Sequence, residues 1–272
     1  MFIHVLFRSS YLDSITPTRY FNLLYIILDC VFLAILAGLL IWKKKYQTLL
    51  FGLFGGILYF IVDYGGFYLL RGSRTVSTVM QGAFDTWKIA TGPQTFFVLL
   101  WMSLSYGFTN FVFIWTLMKP DRETKYWIFL ILLWWFVCPS IAEMGGEATI
   151  KTSRTTGKYH GIMAIILIVG YLLLTIYFLM KKVPFKQMLS LFLIGVSVQF
   201  GWELALLVNG IRPSDFASLR TLIINSLIET NLGMPIIYVI FHFFRNRWNE
   251  DLSKVVNVKE THEESERKGA DK

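Results

Sequence analysis

Seven stretches of mostly apolar residues run through the 272-residue chain, near residues 21–42, 49–70, 95–118, 126–142, 160–180, 188–209 and 219–244. A helix needs roughly 20 such residues to cross the hydrocarbon of a bilayer. Only the fourth stretch is clearly shorter. Backbone N–H and C=O groups in hydrocarbon must pair within the protein, which excludes open sheets and loops there. The pattern therefore predicts an all-α polytopic membrane protein with seven transmembrane helices. With 55% hydrophobic and 17% aromatic residues and a mean hydropathy of +0.53, the chain has too little polar surface for a soluble domain. The gaps Lys43 to Thr48 and Lys181 to Gln187 are short enough to join adjacent antiparallel helices. Arg8, Ser9, Asp13 and Arg19 among the first twenty residues do not fit a cleavable signal peptide.

The net charge of +8 is distributed as a topology signal rather than as a nucleic-acid surface. With seven spans the two ends lie on opposite sides. One side collects Lys43 to Lys45, then Lys119, Arg122 and Lys125, then Lys181, Lys182 and Lys186, and finally the basic residues from Arg245 to Lys272. Sixteen of the 26 Lys and Arg residues lie there. The positive-inside rule makes that side cytosolic and puts the N-terminus outside a plasma or cytoplasmic membrane. Membrane lipid is then the natural partner of the basic clusters, and no nucleic acid is implied. Residues 1–248 form the membrane domain, and 249–272 read as a disordered, charged cytosolic tail.

An internal repeat is visible at an offset of 140 residues: Gln47 meets Gln187, Leu53 meets Leu193, Gly55 meets Gly195, Phe60 meets Phe200, and Asp63 meets Glu203. This predicts two parallel three-helix units, about 21–118 and 160–244, joined by a linker helix at about 126–142. Chance likeness between two Leu-rich helices is the competing explanation. The matched carboxylates argue against it.

Ionisable residues inside a span cost at least ~2.5–3.5 kcal/mol each on insertion scales. Asp29, Asp63, Glu203 and Glu229 are such residues, and Glu143 stands at a span boundary. No lysine accompanies them within the apolar stretches. They are therefore expected to lack ion-pair partners, with some in the neutral acid form. At about 1.5 Å per residue the four share one layer between the midplane and the outer headgroups, which points to a polar cavity. Tyr64, Tyr106, Asn110, Trp202 and Asn225 are the polar and aromatic residues expected around it, unless they satisfy one another across helix contacts. The outer loops 71–94 and 143–159 are long enough to cap such a cavity. Cys30 and Cys138 read as packing residues rather than a disulfide or metal site. The last span has no lysine for a retinal Schiff base. His4, His160, His242 and His262 form no pair at helical spacing, so neither haem nor zinc is expected, and no cofactor is called for.

Trp202 and Glu203, then Gly210 and Ile211, then Glu229, resemble a motif series of the duplicated integral-membrane lycopene cyclases. That series has Trp-Asp in one helix, a Gly-Ile-Trp exit and Pro-x-Glu-Glu in the next helix. Here Arg212 stands for the tryptophan, Leu227 for the proline and Thr230 for the second glutamate. Asp63 and Gly72 are what remains of the series in the first half. The layout is also similar to the seven-helix fungal terpenoid cyclases. The resemblance implies an isomerase of carotenoid or terpenoid biosynthesis that cyclises a lipophilic substrate by protonation. Asp63, Glu203 and Glu229 would be catalytic: Glu203 or Asp63 donates the proton, and Glu229 stabilises charge or takes the terminating proton. Tyr64, Tyr106 and Trp202 would stabilise cationic charge, with Asp29, Asn110, Glu143 and Asn225 lining the cavity. A small-solute transporter with parallel repeats and a non-catalytic multi-pass protein remain the alternatives.

Overall fold

The computed structural model describes residues 18–79, 86–154 and 160–270. Among these residues, seven helices are long and apolar enough to cross a membrane. They are α1 (Leu23–Trp42), α2 (Tyr46–Phe60), α3 (Gly92–Met118), α4 (Thr124–Ala142), α5 (His160–Met180), α6 (Phe185–Val208) and α7 (Phe216–Ala270). The second span continues beyond α2 as a π-helix, Ile61–Leu70. The fourth, short in the sequence, gains a 3₁₀ turn at Glu143–Gly145 and so reaches 22 residues. The fold is all-α with seven candidate spans, which fits an integral membrane protein.

Local chemistry sets several helix ends. Asn22 caps α1 by accepting the Tyr25 N–H at 2.8 Å, and its amide donates to the carbonyls of Ala142 at 2.6 Å and Gly146 at 3.0 Å. One side chain thus starts α1 and fastens it to the end of α4. Thr91 and Gln94 form a capping box ahead of α3, with a proline in its first turn. At the lysine-rich end, Lys43 donates to Glu123 at 2.8 Å and Lys45 pairs with Asp121, which ties the α1–α2 turn to the α3–α4 turn. From Asn249 the sequence reads as a disordered tail, whereas the structure continues α7 as one helix to Ala270. That segment is rich in Glu, Lys and Arg, all good helix formers.

Helix pairs close on glycines, because dispersion contact replaces the hydrophobic drive within lipid. Gly52, Gly55 and Gly56 of the second span face Phe108, Phe111 and Leu104 of α3, while Gly107 of α3 abuts the backbone of Gly55 and Gly56. In α6, Gly195 seats Asn231 and Met234 of α7. Gly55 and Gly195 are 140 residues apart in the sequence.

A four-stranded antiparallel sheet sits at the other end of the bundle, where the sequence reading has only capping loops. Its strands are β1 (Thr18–Phe21), β2 (Arg74–Val79), β3 (Trp87–Ile89) and β4 (Ile150–Arg154), in the order β1-β4-β2-β3. The pairing joins Arg19 to Thr152 and Arg74 to Arg154 across neighbouring strands. Side chains alternate along a strand, so Arg19 and Phe21, Arg74 and Val76, and Thr152 and Arg154 share one face. That face packs down on the helices, and all of these but the half-buried Arg154 are buried.

Candidate functional site

Two arginines lie directly opposite each other on the inner face of the sheet, and like charges so placed repel. The carboxylates beneath them remove the difficulty. Arg74 Nη2 lies 3.0 Å from Asp63 Oδ2, and Arg154 pairs with Glu229. Arg19, the third arginine of that face, donates to Glu203 at 3.3 Å. The turn after α6 supplies a fourth, Arg212, which grips Glu203 with two prongs: Nε to Oε2 at 2.7 Å and Nη2 to Oε1 at 3.0 Å. Gln199 at 3.2 Å and Asn225 at 3.3 Å complete five hydrogen bonds to a glutamate with 0% of its surface exposed. Glu203, held on both oxygens by two guanidiniums, forms a buried ion pair.

This overturns the expectation of acids without basic partners. The spans contain no lysine, but arginines standing just outside them reach in. Arg212, which departs from the cyclase motif, chelates the glutamate that the motif brings to notice. Asp63 and Glu203, matched in the repeat, are each bound by an arginine from the segment following their own helix.

The three acids converge on one electrostatic network. Burial lowers the pKa of Arg154, but Glu229 and Asp63 together outweigh it and raise the pKa above its ordinary value. Burial wins at Arg74 and at Arg212, lowering both against the pull of Asp63 and Glu203 respectively. Those two guanidiniums also keep unused donors, Arg74 Nε and Arg212 Nη1. Arginine stays protonated throughout the working pH range, so these shifts describe fields rather than titrations.

Tyr106 donates to Asp63 Oδ2 at 3.2 Å, and its ring lies 5.9 Å from that of Trp202, which in turn lies 5.5 Å from Trp135. Thr230 donates to Gln199 at 2.6 Å, extending the hydrogen-bonded chain from Glu203 into α7. Further buried atoms, Asp63 Oδ1, Asn225 Oδ1 and Trp202 Nε1, have no hydrogen-bond partner within the protein.

Three expected residues lie elsewhere. Asp29 is buried between α1, α3 and α4, accepting the indole N–H of Trp101 at 2.9 Å and of Trp134 at 3.3 Å. Its partners are tryptophans rather than arginines. Tyr64 stacks between Phe60 and Tyr68 and meets Phe96 edge-on, away from the acids. Glu143 is exposed, on the rim of a small pocket with Asn22 and Asn209. Sequence reasoning missed Arg19, Arg74 and Arg154 altogether. Four carboxylates in apolar stretches, with arginines flanking those stretches, were the available signal. Compared with known protein families, curated proteins and solved structures, the chain matches none of them.

Proposed function

We propose that this chain is an integral-membrane isomerase of the cyclase kind, acting on a lipophilic, isoprenoid-like substrate, with Asp63 as its proton-exchanging carboxyl group. One observation carries the assignment. Asp63 Oδ1 is the one buried carboxylate oxygen without a hydrogen-bond partner among the described residues. A proton on Oδ1 leaves the bonds of Oδ2 to Arg74 and Tyr106 intact. Transfer of that proton to an alkene carbon forms a C–H bond from the C=C π pair, or transfer to an epoxide oxygen forms an O–H bond as one C–O bond opens, and either leaves a carbocation. The carboxylate left behind already faces a guanidinium. Cyclisation and loss of a proton from a neighbouring carbon, returned to Asp63 directly or by way of Glu229, balances the reaction as an isomerisation and resets the acid. Trp202 and Tyr106 supply aromatic faces worth up to about 2 kcal/mol to a desolvated cation. Glu203, engaged by two guanidiniums, is in this scheme a fixed part of the electrostatic frame rather than an acid.

The test uses purified protein in liposomes with a panel of linear and epoxidised isoprenoids, read by chromatography and mass spectrometry. A product of unchanged mass and new retention time is expected, carrying deuterium when formed in deuterated water. Asp63→Asn strands Arg74, so Asp63→Asn/Arg74→Gln, which removes both charges, is the companion variant. Both should lose turnover by at least about 100-fold, the lower end of general acid–base contributions. Turnover that survives in a folded double variant refutes the role of Asp63. Solute flux without an isomerised product selects the transporter instead.

The same reading takes α1–α3 and α5–α7 as parallel repeats joined by α4, supported by the matched pairs Gly55 with Gly195 and Asp63 with Glu203. It also takes the sheet as external and the lysine-rich end as cytosolic, supported by the distribution of Lys and Arg. Single cysteines placed at Ser73 and at Ser265 should then differ in labelling by an impermeant thiol reagent in sealed cells, the first reacting and the second not. Equal labelling refutes this orientation.

A further inference from the structure

On the far side of the π-helix from the acid network, a groove of about 900 Å³ opens between the second span and α5. Its floor is Gly65 and Gly66, where an added Cβ would meet nothing within 4 Å. Ile61 and Leu69 form one wall, and Ile162 and Ile166 of α5 form the other. Two sequence features open this space. Consecutive glycines strip one face of the helix, and the π-helical winding presents both of them there. On the buried face of the same segment Asp63 meets Arg74 of β2 and Tyr106 of α3.

A void of this size at hydrocarbon depth does not stay empty, because its lining atoms would forfeit their dispersion contacts. Water is a poor filler, since it needs two to four polar partners and these walls are apolar. The groove falls within the roughly 300–1,000 Å³ typical of small-molecule sites. Its one charged lining residue is Arg71, which follows the last helical residue and so stands at the level of the headgroups. A guanidinium there complements a phosphate. We infer that the groove is a binding site for an anionic phospholipid of the leaflet on the sheet side, with an acyl chain lying over Gly65 and Gly66 and the headgroup phosphate at Arg71. The inference requires nothing of the reaction proposed above.

The experiment reconstitutes the full chain in nanodiscs containing phosphatidylglycerol or phosphatidylcholine that bears a diazirine on one acyl chain. After irradiation, adducts are mapped by peptide mass spectrometry. Adducts should concentrate on residues 61–71 and 162–166, more with phosphatidylglycerol than with phosphatidylcholine. Gly65→Leu/Gly66→Leu should lower labelling of the groove about tenfold, the change that about 1.4 kcal/mol of lost contact produces. The open space at both positions lets the leucines fit, and an unchanged circular dichroism spectrum and elution volume would verify the fold. Arg71→Gln should keep the acyl adducts and erase the preference for phosphatidylglycerol. Labelling spread evenly over the lipid-facing helices, or unmoved by the leucines, overturns the site. A preference that survives Arg71→Gln overturns the headgroup assignment. Displacement of the label by a linear isoprenoid but not by unlabelled phosphatidylglycerol overturns the phospholipid and makes the groove a substrate port.

Discussion

Replacing Glu203 by Gln is expected to destabilise the protein by about 3–5 kcal/mol, the usual loss when one partner of a buried ion pair is removed. Glu203 has 0% exposure and faces Arg19 and Arg212 together. The amide cancels the negative charge and turns an N–H donor toward guanidiniums that also only donate. Two positive charges are left where there were two positive and one negative. Arg212→Leu alone should cost less, because Glu203 then still has Arg19 and the two balance. The double variant Glu203→Gln/Arg212→Leu returns the cluster to its original net charge and should recover at least half of the loss. Thermal or detergent-induced unfolding of the purified protein, followed by circular dichroism, measures all three variants. Strict additivity of the single losses would mean that the two side chains do not interact, against their two-pronged geometry. The contrast with Asp63 is sharp: Glu203→Gln should act through stability, whereas Asp63→Asn/Arg74→Gln should act through turnover.

The spans are legible in the sequence because hydrocarbon admits few solutions to backbone pairing, so length and composition suffice. Partners of the carboxylates are not legible in the same way. Arg19 is 184 residues from Glu203 and Arg154 is 75 from Glu229, and no local periodicity connects such positions. The sheet that brings three of these arginines together is assembled from the segment before α1 and two separate connections. None of its strands exceeds six residues. Only Arg74–Val79, with its alternation and β-branched residues, carries a recognisable strand signal.

Depth estimates put Asp29 in one layer with Asp63, Glu203 and Glu229, yet depth carries no information about the direction a side chain faces. Asp29 therefore meets tryptophans and Glu203 meets arginines. Tyr64 illustrates the same limit: it is adjacent to Asp63 in sequence, but successive residues of a helix face different sides, and it meets other aromatic rings. What a motif can carry across is residue type. Trp202 and Glu203 both lie buried beside the arginine network, while Arg212, where the motif has tryptophan, binds the glutamate with two prongs.

Gly107→Leu should prevent stable closure of the bundle or destabilise it by at least about 3 kcal/mol, the upper end of ordinary overpacking losses. A Cβ at Gly107 would lie 2.8 Å from Gly56 Cα, 2.9 Å from Gly55 O and 3.1 Å from Gly56 N. All three are backbone atoms, so no rotamer change relieves the overlap. The second span must move away from α3 as a whole. That movement would carry Asp63 away from Tyr106, the neighbour of Gly107, since the 3.2 Å hydrogen bond between them crosses the same interface. Gly66→Leu is the internal control, because a Cβ added there, on the open face of the second span, meets no atom within 4 Å. Purified Gly107→Leu should unfold at lower temperature or lower denaturant than the parent, while Gly66→Leu stays close to it. Equal stability of the two leucine variants would show that α2 and α3 do not meet backbone to backbone at Gly107, and the close glycine contact would have to be abandoned.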